Sequence, residues 1–245
     1  TEVDHTTQLI RDLADPGKKV VVQTAPAVRA ALGEAFGMEP GTLVTGKMVA
    51  ALRRLGFDYV FDTDFAADLT IMEEGTELLD RLGRFLKGDK DVKLPMLTSC
   101  CPGWVNFFEY HFPDMRDIPS TARSPQQMFG SIAKTYFADI VETKREDMVV
   151  VSVMPCVAKK YECTREEFSV DGNPDVDYSI STRELAMLIK RSNMDFNSLP
   201  EEDFDKPLGE STGAGVIFGT TGGVIEAAVR TAYEVHTGKE LEKID

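Results

Sequence analysis

The feature that most constrains the fold is a set of short, uninterrupted apolar runs separated by amphipathic stretches. The clearest run is MVVVSV at residues 148–153, and KVVVQ at 19–23 is a second. Runs of β-branched residues without polar alternation are typical of strands that are covered on both faces, and such strands occur mainly in parallel sheets. Shorter runs at 58–61, 94–97 and 216–218 predict further strands.

Helical patterns lie between these runs. They cover the ranges 5–14, 27–36, 45–55, 68–86, 102–112, 124–140, 181–191 and 223–236. Strands that alternate with helices indicate an α/β fold, in which helices flank mainly parallel sheets. We expect two lobes of this kind. The predicted first lobe spans 1–97, the second spans 98–212, and residues 213–245 return to the first lobe.

Charge and hydropathy exclude several classes of protein. The formal net charge of −14 argues against a nucleic-acid-binding protein, which needs a basic surface, and against docking on anionic lipid. No apolar run approaches the roughly 18 residues that a membrane helix needs. Acidic residues stand in the first 20 positions, where a signal peptide is apolar, so we expect a cytoplasmic protein.

The four cysteines are the strongest chemical signal. Cys100 and Cys101 are adjacent in TSCCPGW, and Cys156 and Cys163 follow later. Cytosolic proteins rarely contain structural disulfides, so metal binding, catalysis and burial in a core remain open for these thiols. The absence of a C-x-x-C pair argues against a zinc ribbon or finger. Neighbouring side chains on an extended backbone point in opposite directions, so the two thiols of the doublet are expected to serve different targets.

Two groups of charged residues are candidates for the same site. Glu74, Glu77 and Arg81 fall at positions i, i+3 and i+7 of a predicted helix, along one face. They form either a solvated stripe of salt bridges or a line of carboxylates that passes protons. Lys159 and Lys160 follow Cys156, and we expect only one of these adjacent lysines to point into a pocket.

Unusual residues follow four of the predicted strands. The ends are Thr24-Ala-Pro26, Thr98-Ser-Cys-Cys101, Met154-Pro-Cys156 and the glycine-rich turn at 219–223. The carboxyl ends of parallel strands form the ligand site in many α/β folds, so these segments are expected to converge on one pocket. The turn lacks both nucleotide-binding glycine patterns; it favours either an anion at a helix N-terminus or close approach of backbone to a ligand.

Three separated motifs resemble the catalytic domain of the iron-only, or [FeFe], hydrogenases. They are TSCCPGW, MPCVAKKYE and FGTTGGVIEAAVR, and the resemblance extends from VVVQTAPAVRAALGEAFG to TGKELE. It implies reversible reduction of protons to H2. It also implies an H-cluster, in which a [4Fe–4S] cubane is joined to a two-iron subsite with CO, cyanide and azadithiolate ligands.

The resemblance assigns roles to individual residues. Cys101 and Cys156 are similar to cubane ligands, Cys100 to the thiol that passes protons beside the open iron position, and Lys159 to the lysine that binds a cyanide. Glu74, Glu77, Arg81 and Ser120 match the family's proton path. The remaining matches line the two-iron subsite: Ala25, Pro26, Gln126, Met154, Pro155, Thr221 and Gly222.

Three departures qualify what the resemblance implies. The third family motif, E-x-M-A-C-x-G-G-C, is absent, so we expect the other cubane ligands to come from outside these residues. No accessory ferredoxin-like cysteine cluster is present, and electrons are therefore expected from a ferredoxin-like carrier, or from an accessory iron–sulfur domain or subunit. Ala27 stands where some relatives carry a serine. A non-catalytic sensory or iron–sulfur assembly relative and an inactive truncated fragment remain alternatives, although Cys100 favours turnover because sensory members often lack this thiol.

Overall fold

The computed structural model describes residues 3–239 and 241. In chain order, its α-helices are α1 (Thr6–Ala14), α2 (Val28–Ala31), α3 (Thr45–Leu55), α4 (Thr63–Leu86), α5 (Pro102–His111), α6 (Pro125–Ile132), α7 (Ala138–Ile140), α8 (Ala158–Glu162), α9 (Thr182–Arg191), α10 (Gly213–Phe218) and α11 (Gly223–Thr237). The strands are β1 (Lys19–Thr24), β2 (Tyr59–Asp62), β3 (Met148–Met154), β4 (Ser169–Val170), β5 (Asn173–Pro174) and β6 (Tyr178–Ser181). A π-helical turn, Ala133–Phe137, joins α6 to α7, and a 3₁₀ turn, Leu32–Phe36, extends α2.

The chain forms two compact units. The first unit consists of Thr1–Asp64 and Gln126–Glu210, and the second of Phe65–Pro125 and Ser211–Asp245. The end of the predicted return segment, at 240 and 242–245, lies outside the described residues.

A four-stranded parallel sheet organises the first unit, with the strand order β2-β1-β3-β6. Every pair in this sheet is parallel, and β1 pairs with β3 along its whole length, from Lys19 opposite Met148 to Thr24 opposite Val153. All seven residues of β3 are buried. The uninterrupted apolar runs therefore mark the central strands of a parallel sheet, as their composition predicted.

Helices cover both faces of this sheet. Alternation along β1 directs Val20 and Val22 into a core shared with the buried faces of α3 and α9. Phe61 of β2 packs on the opposite side, against Phe129 of α6 and Phe137 of the π-helical turn. The α/β class with a helix-flanked parallel sheet is confirmed.

Helices dominate the second unit, where two of the expected strands do not form. Leu97 makes only an isolated bridge with Pro119, because Pro95 removes a backbone donor from the predicted strand 94–97. The apolar run 216–218 lies in α10. The Thr212 hydroxyl caps the start of this helix by accepting a hydrogen bond from the Ala214 N–H. A run of three apolar residues is too short to show the periodicity of a helix or a strand. The sequence therefore could not distinguish the two at this position.

The two units differ from the predicted lobes. A boundary at residue 97 separates β1 from β3, yet these strands are neighbours in one sheet. Strand β6 was missed because Ser179 and Ser181 interrupt its apolar residues, although all four of its residues are buried. Among the described helices, none is both long and apolar enough to span a lipid bilayer.

Candidate active site

The carboxyl edge of the sheet brings together the site residues of the first unit. Thr24 at the end of β1 lies opposite Val153 of β3, and the Ala25 N–H donates to the Val153 carbonyl at 3.0 Å. The Ala25–Pro26 segment therefore lies beside the segment that carries Met154 to Cys156. This juxtaposition follows from the parallel pairing of β1 and β3.

Gln126 is fixed by hydrogen bonds below this edge. Its side chain is buried, and its oxygen accepts a hydrogen bond from the Ser152 hydroxyl at 2.7 Å. Its side-chain amide donates to the Glu162 carboxylate at 2.8 Å, while its backbone carbonyl accepts from the Gln23 side-chain amide at 3.0 Å. A buried polar side chain with all of these partners has a single orientation.

Lys159 is half-buried and Lys160 is buried, and each ammonium group meets a carboxylate. Lys159 Nζ donates to the two oxygens of Glu162 at 3.1 and 3.0 Å, and Lys160 Nζ donates to Glu184 at 2.6 Å. That only one of the two lysines points into a pocket with Cys156 stays a prediction. Neighbours on a helix point in directions about 100° apart, and each direction meets a different carboxylate.

The cysteines of the first unit differ in environment. Cys156 is exposed after β3, whereas Cys163 is buried and its thiol donates to the Lys159 carbonyl at 3.2 Å. Burial, with the nearby Glu162 carboxylate, raises the pKa of Cys163 to about 12. Cys163 is therefore a protonated core residue, whereas Cys156 is accessible to a metal.

In the second unit, Glu77 is the centre of a hydrogen-bonded cluster on α4. Arg81 donates to Glu77 Oε1 at 2.6 and 2.9 Å, and also to the carbonyls of Ile118 and Pro119. Glu77 Oε2 accepts from the Ser120 hydroxyl at 2.9 Å. Burial alone raises the pKa of Glu77, but the Thr121 N–H, the Ser120 hydroxyl and the Arg81 guanidinium together hold it below its ordinary value.

Glu74 lies one turn earlier on α4 and is only 1% exposed. Neither of its oxygens has a partner with hydrogen-bond geometry among the described residues. Burial raises the pKa of Glu74 to about 6, and the nearby Ser99 N–H and Ser120 hydroxyl limit that rise. Glu74 therefore does not belong to a solvated stripe of salt bridges, whereas Glu77 and Arg81 form a partly buried ion pair.

The cysteine doublet lies where the chain enters α5. Cys101 is exposed and extended at φ −96° and ψ 107°, and Pro102 begins the helix. Cys100 is half-buried, and neither cysteine forms a disulfide. The described residues contain no group of three or more His, Cys, Asp or Glu side chains placed to hold a metal ion.

The glycine-rich turn joins α10 to α11 and carries Thr221 and Gly222. Gly222 has φ 75°, a conformation that glycine adopts without strain. A Cβ at Gly223 would lie 1.8 Å from the Ile217 carbonyl oxygen. The turn therefore depends on close backbone packing at one glycine and on positive φ at its neighbour.

Sequence reasoning missed partners of the predicted residues. Glu162 was not assigned to the site, although its i+3 spacing from Lys159 is a detectable signal for an ion pair. Thr121 and Ser99 were also missed, since their backbone N–H groups act on Glu77 and Glu74 and carry no sequence signal.

Comparison with known proteins identifies the family. The family described as iron only hydrogenase large subunit, C-terminal domain, matches residues 18–245. The chain belongs to this family. Its similarity to other members covers nearly its whole length.

Two relatives and one solved structure define this similarity. The NADP-reducing hydrogenase subunit HndD of Solidesulfovibrio fructosivorans is 71% identical, over 100% of this chain and 42% of that protein. The periplasmic [Fe] hydrogenase large subunit of Nitratidesulfovibrio vulgaris is 48% identical, over 96% of this chain and 55% of that protein. A variant of the [FeFe]-hydrogenase HydA1 from Chlamydomonas reinhardtii has a TM-score of 0.88 at 46% identity, over 99% of this chain and 61% of that one.

A more distant relative has a different name. A probable cytosolic Fe–S cluster assembly factor of Nematostella vectensis is 35% identical, over 99% of this chain and 56% of that protein. The chain thus spans roughly half the length of the relatives that it matches.

Proposed function

We propose that this chain is part of the catalytic domain of an [FeFe] hydrogenase, which catalyses the reversible reaction of two protons and two electrons to give H2. The observation that carries the proposal is the hydrogen-bonded Ser120–Glu77–Arg81 cluster in the second unit, with the buried Glu74 beside it. The 71% identity to a named hydrogenase subunit supports it. The assembly-factor relatives, at 35% identity, are less similar.

The cysteines fit an H-cluster in part. Cys101 and Cys156 are exposed free thiols, and thiolates are the ligands of iron–sulfur clusters. Cys163 is buried and protonated, and Cys100 is needed for proton transfer, so two thiols remain for a cubane that takes four. We propose that the other ligands come from outside these 245 residues. When bound, the H-cluster would relay electrons and provide the open iron position for H2 chemistry.

The residues around the metal group hold and orient it. We assign Cys101 and Cys156 as cubane ligands and Lys159 as the donor to an anionic ligand of the two-iron subsite, with its ammonium held by Glu162. Seven residues are proposed to line the subsite and exclude water: Ala25, Pro26, Gln126, Met154, Pro155, Thr221 and Gly222.

Protons are proposed to pass along Glu77, Ser120, Glu74 and Cys100. Arg81 positions Glu77 and keeps it ionised, while Glu74, with a pKa of about 6, is half-protonated near that pH. Two carboxyl groups whose environments push their pKa values apart are suited to directional proton exchange. A hydroxyl can both donate and accept, so Ser120 is proposed to relay a proton between the two carboxyl groups.

The partners and location follow from the same proposal. A ferredoxin-like carrier, or an accessory iron–sulfur domain or subunit, supplies electrons; the acidic charge argues against nucleic acid as a partner. We propose that the protein is cytoplasmic and works under anaerobic conditions. Fractionation of the native cells tests the location.

The test uses Cys100→Ala in the full-length, iron-loaded protein. H2 evolution driven by reduced methyl viologen should fall by about 100-fold or more, because a positioned proton-transfer group contributes 10² to 10⁴ in rate. Cys163→Ala is the matched control and should keep its activity, since that thiol is a buried core residue.

The same experiment separates the alternative function. A sensory or assembly relative binds its cluster without turnover, and the wild-type protein would then show full iron content and no H2 evolution. Unchanged H2 evolution in the Cys100→Ala variant would remove the proton-transfer role of that thiol.

A further inference from the structure

The segment that follows Pro119 presents two neighbouring hydroxyl groups to Glu77 in the second unit. The Ser120 hydroxyl donates to Glu77 Oε2 at 2.9 Å, and the Thr121 hydroxyl donates to the same oxygen at 3.1 Å. The Thr121 backbone N–H also donates to this oxygen, at 2.9 Å. Ser120 belongs to the proposed proton path, whereas the Thr121 hydroxyl has no role in it so far.

Glu77 Oε2 receives more donors than it can bind equally well at one time. A carboxylate oxygen offers about two lone-pair positions, and three donors point at this one. The other oxygen, Oε1, accepts two N–H groups of Arg81, at 2.6 and 2.9 Å. A backbone N–H cannot turn away, but a hydroxyl rotates about its C–O bond. One of the two hydroxyls can therefore leave Oε2 while the other stays.

The Ser120 hydroxyl can turn towards a second carboxyl group. Its oxygen accepts the Ala122 N–H at 3.1 Å, which fixes the oxygen and leaves the hydroxyl proton able to rotate. Ser120 is buried, and its hydroxyl lies near Glu74, whose oxygens have no partner with hydrogen-bond geometry among the described residues. The Ser120 backbone N–H donates to the Leu97 carbonyl at 2.7 Å, which holds this segment in place. Rotation of one hydroxyl thus connects Glu77 to Glu74.

That rotation is costly when it leaves an ionised carboxylate short of donors. Hydrogen bonds to charged groups are stronger than those between neutral groups, so the loss of one from a partly buried carboxylate is unfavourable. Arg81 cannot compensate, because its two bonds are made to Oε1 and a guanidinium does not give up its proton. The Thr121 hydroxyl already contacts Oε2, and so it keeps that oxygen bound while the Ser120 hydroxyl points to Glu74.

We propose that Thr121 is a positioning residue of the proton path, whose hydroxyl holds Glu77 Oε2 while the Ser120 hydroxyl turns towards Glu74. The inference rests on the proposed hydrogenase function and deepens it. In each transfer, Glu77 loses its proton to the Ser120 oxygen, and the proton that Ser120 held passes to Glu74. One O–H bond forms and one breaks at Ser120. Its hydroxyl must then turn away from Glu77 before the next proton, and the Thr121 bond lowers the free energy of that step.

The test removes the Thr121 hydroxyl and keeps its backbone N–H. In the full-length, iron-loaded protein, Thr121→Val should lower the H2 evolution rate at saturating reduced methyl viologen by about tenfold, since one hydrogen bond to a charged group corresponds to about that factor. The KM for methyl viologen should not change, because electron delivery is unaffected. Thr121→Ser restores a hydroxyl and should recover most of the wild-type rate.

Difference infrared spectroscopy of the full-length protein gives a second readout that requires no turnover. The carboxyl band that Glu77→Gln removes reports the protonation of Glu77. Loss of a hydrogen bond to the ionised form raises the pKa of a carboxyl group, so the midpoint of this band should move to higher pH in Thr121→Val. It should stay in place in Thr121→Ser. A role of Thr121 in packing alone would not move the midpoint.

Thr135→Val is the matched control. The exposed Thr135 lies in the π-helical turn of the first unit, where its hydroxyl donates to the Ser131 carbonyl at 2.7 Å. The same change of side chain should therefore alter neither the H2 evolution rate nor the Glu77 band.

A smaller substitution guards against misfolding of the valine variant. Thr121→Ala also removes the hydroxyl and keeps the backbone N–H, so it should reproduce the loss of rate and the shifted band. A wild-type rate and band in this variant would overturn the proposal. So would an equal loss of rate in Thr121→Ser, because that variant keeps the hydroxyl.

Failure of the proposed function gives a different pattern. Absence of H2 evolution from the wild-type protein at full iron content would reject the hydrogenase activity. The Glu77 band still tests the contact made by Thr121 in that case, because protonation of this carboxyl group requires no turnover.

Discussion

Glu74 shows how burial changes the chemistry of one carboxyl group. Its raised pKa means that the folded protein binds this proton more tightly than the unfolded chain does. The resulting destabilisation is absent below the ordinary value of 4.5, and it is complete once the pH rises above about 6. Glu74 can therefore accept a proton near neutral pH. The protein loses some folding stability above about pH 6, because the buried carboxyl is then ionised.

Replacement of Glu74 by glutamine should remove a proton carrier without changing the shape of the side chain. We expect the H2 evolution rate of the full-length protein to fall by about 100-fold or more. Difference infrared spectroscopy should detect a protonated carboxyl band in the wild type that disappears through about pH 6, and that band should be missing from the variant.

Glu73→Gln is the control for this substitution. Glu73 is the exposed neighbour of Glu74 on α4, so its loss should change neither the rate nor the band. If the band persists in Glu74→Gln, another group carries that proton.

Helix α9 shows how one element connects the sheet edge to the rest of the first unit. Ser181 accepts from the Glu184 N–H at 3.2 Å, and Glu184 accepts from the Ser181 N–H at 2.6 Å, which together form a capping box. The same carboxylate also accepts from Lys160 at 2.6 Å. Glu184 therefore fixes the helix start and neutralises a buried lysine.

The two capping residues should differ in how much they stabilise α9. Ser181→Ala removes one cap and should cost about 1 kcal/mol. Glu184→Ala also leaves the Lys160 ammonium buried without its carboxylate, and should cost about 3 kcal/mol. Hydrogen exchange of the α9 amides in the full-length protein measures both effects. Equal protection in the two variants would show that the lysine finds another partner.

At the scale of the whole molecule, the number of thiols limits which metal groups the chain can hold. Two exposed cysteines, Cys101 and Cys156, are proposed as cluster ligands, and the described residues contain no group of three metal-binding side chains. A cubane takes four protein ligands, so these donors are insufficient for stable binding.

Anaerobic reconstitution with iron and sulfide should reflect this limit. The 245-residue polypeptide should hold far less than one [4Fe–4S] cluster per chain, whereas the full-length protein should hold one. Cys156→Ser in the full-length protein should lower its iron content and visible absorption, while Cys163→Ser should change neither. A full cluster on the shorter polypeptide would contradict the assignment of ligands.

Much of the fold and the family were predictable from local sequence, for a physical reason. The valine runs in β1 and β3 are buried on both faces, so apolar residues follow one another without alternation and the pattern was visible. The three motifs keep fixed spacings around the cysteines, and so they indicated the family. Short or mixed segments such as β6 and 216–218 were missed or misassigned, because burial there depends on neighbours that are distant in the chain.

The sequence by itself determined the parallel α/β class, the family, and the residues proposed for the site. Only the tertiary structure decided that β1 lies beside β3, that Lys159 and Lys160 each pair with a carboxylate, and that Glu74 is removed from solvent. The physical reason is that strand order, desolvation and ion pairing are set by contacts between segments far apart in the chain, whereas composition and period are set by neighbouring residues.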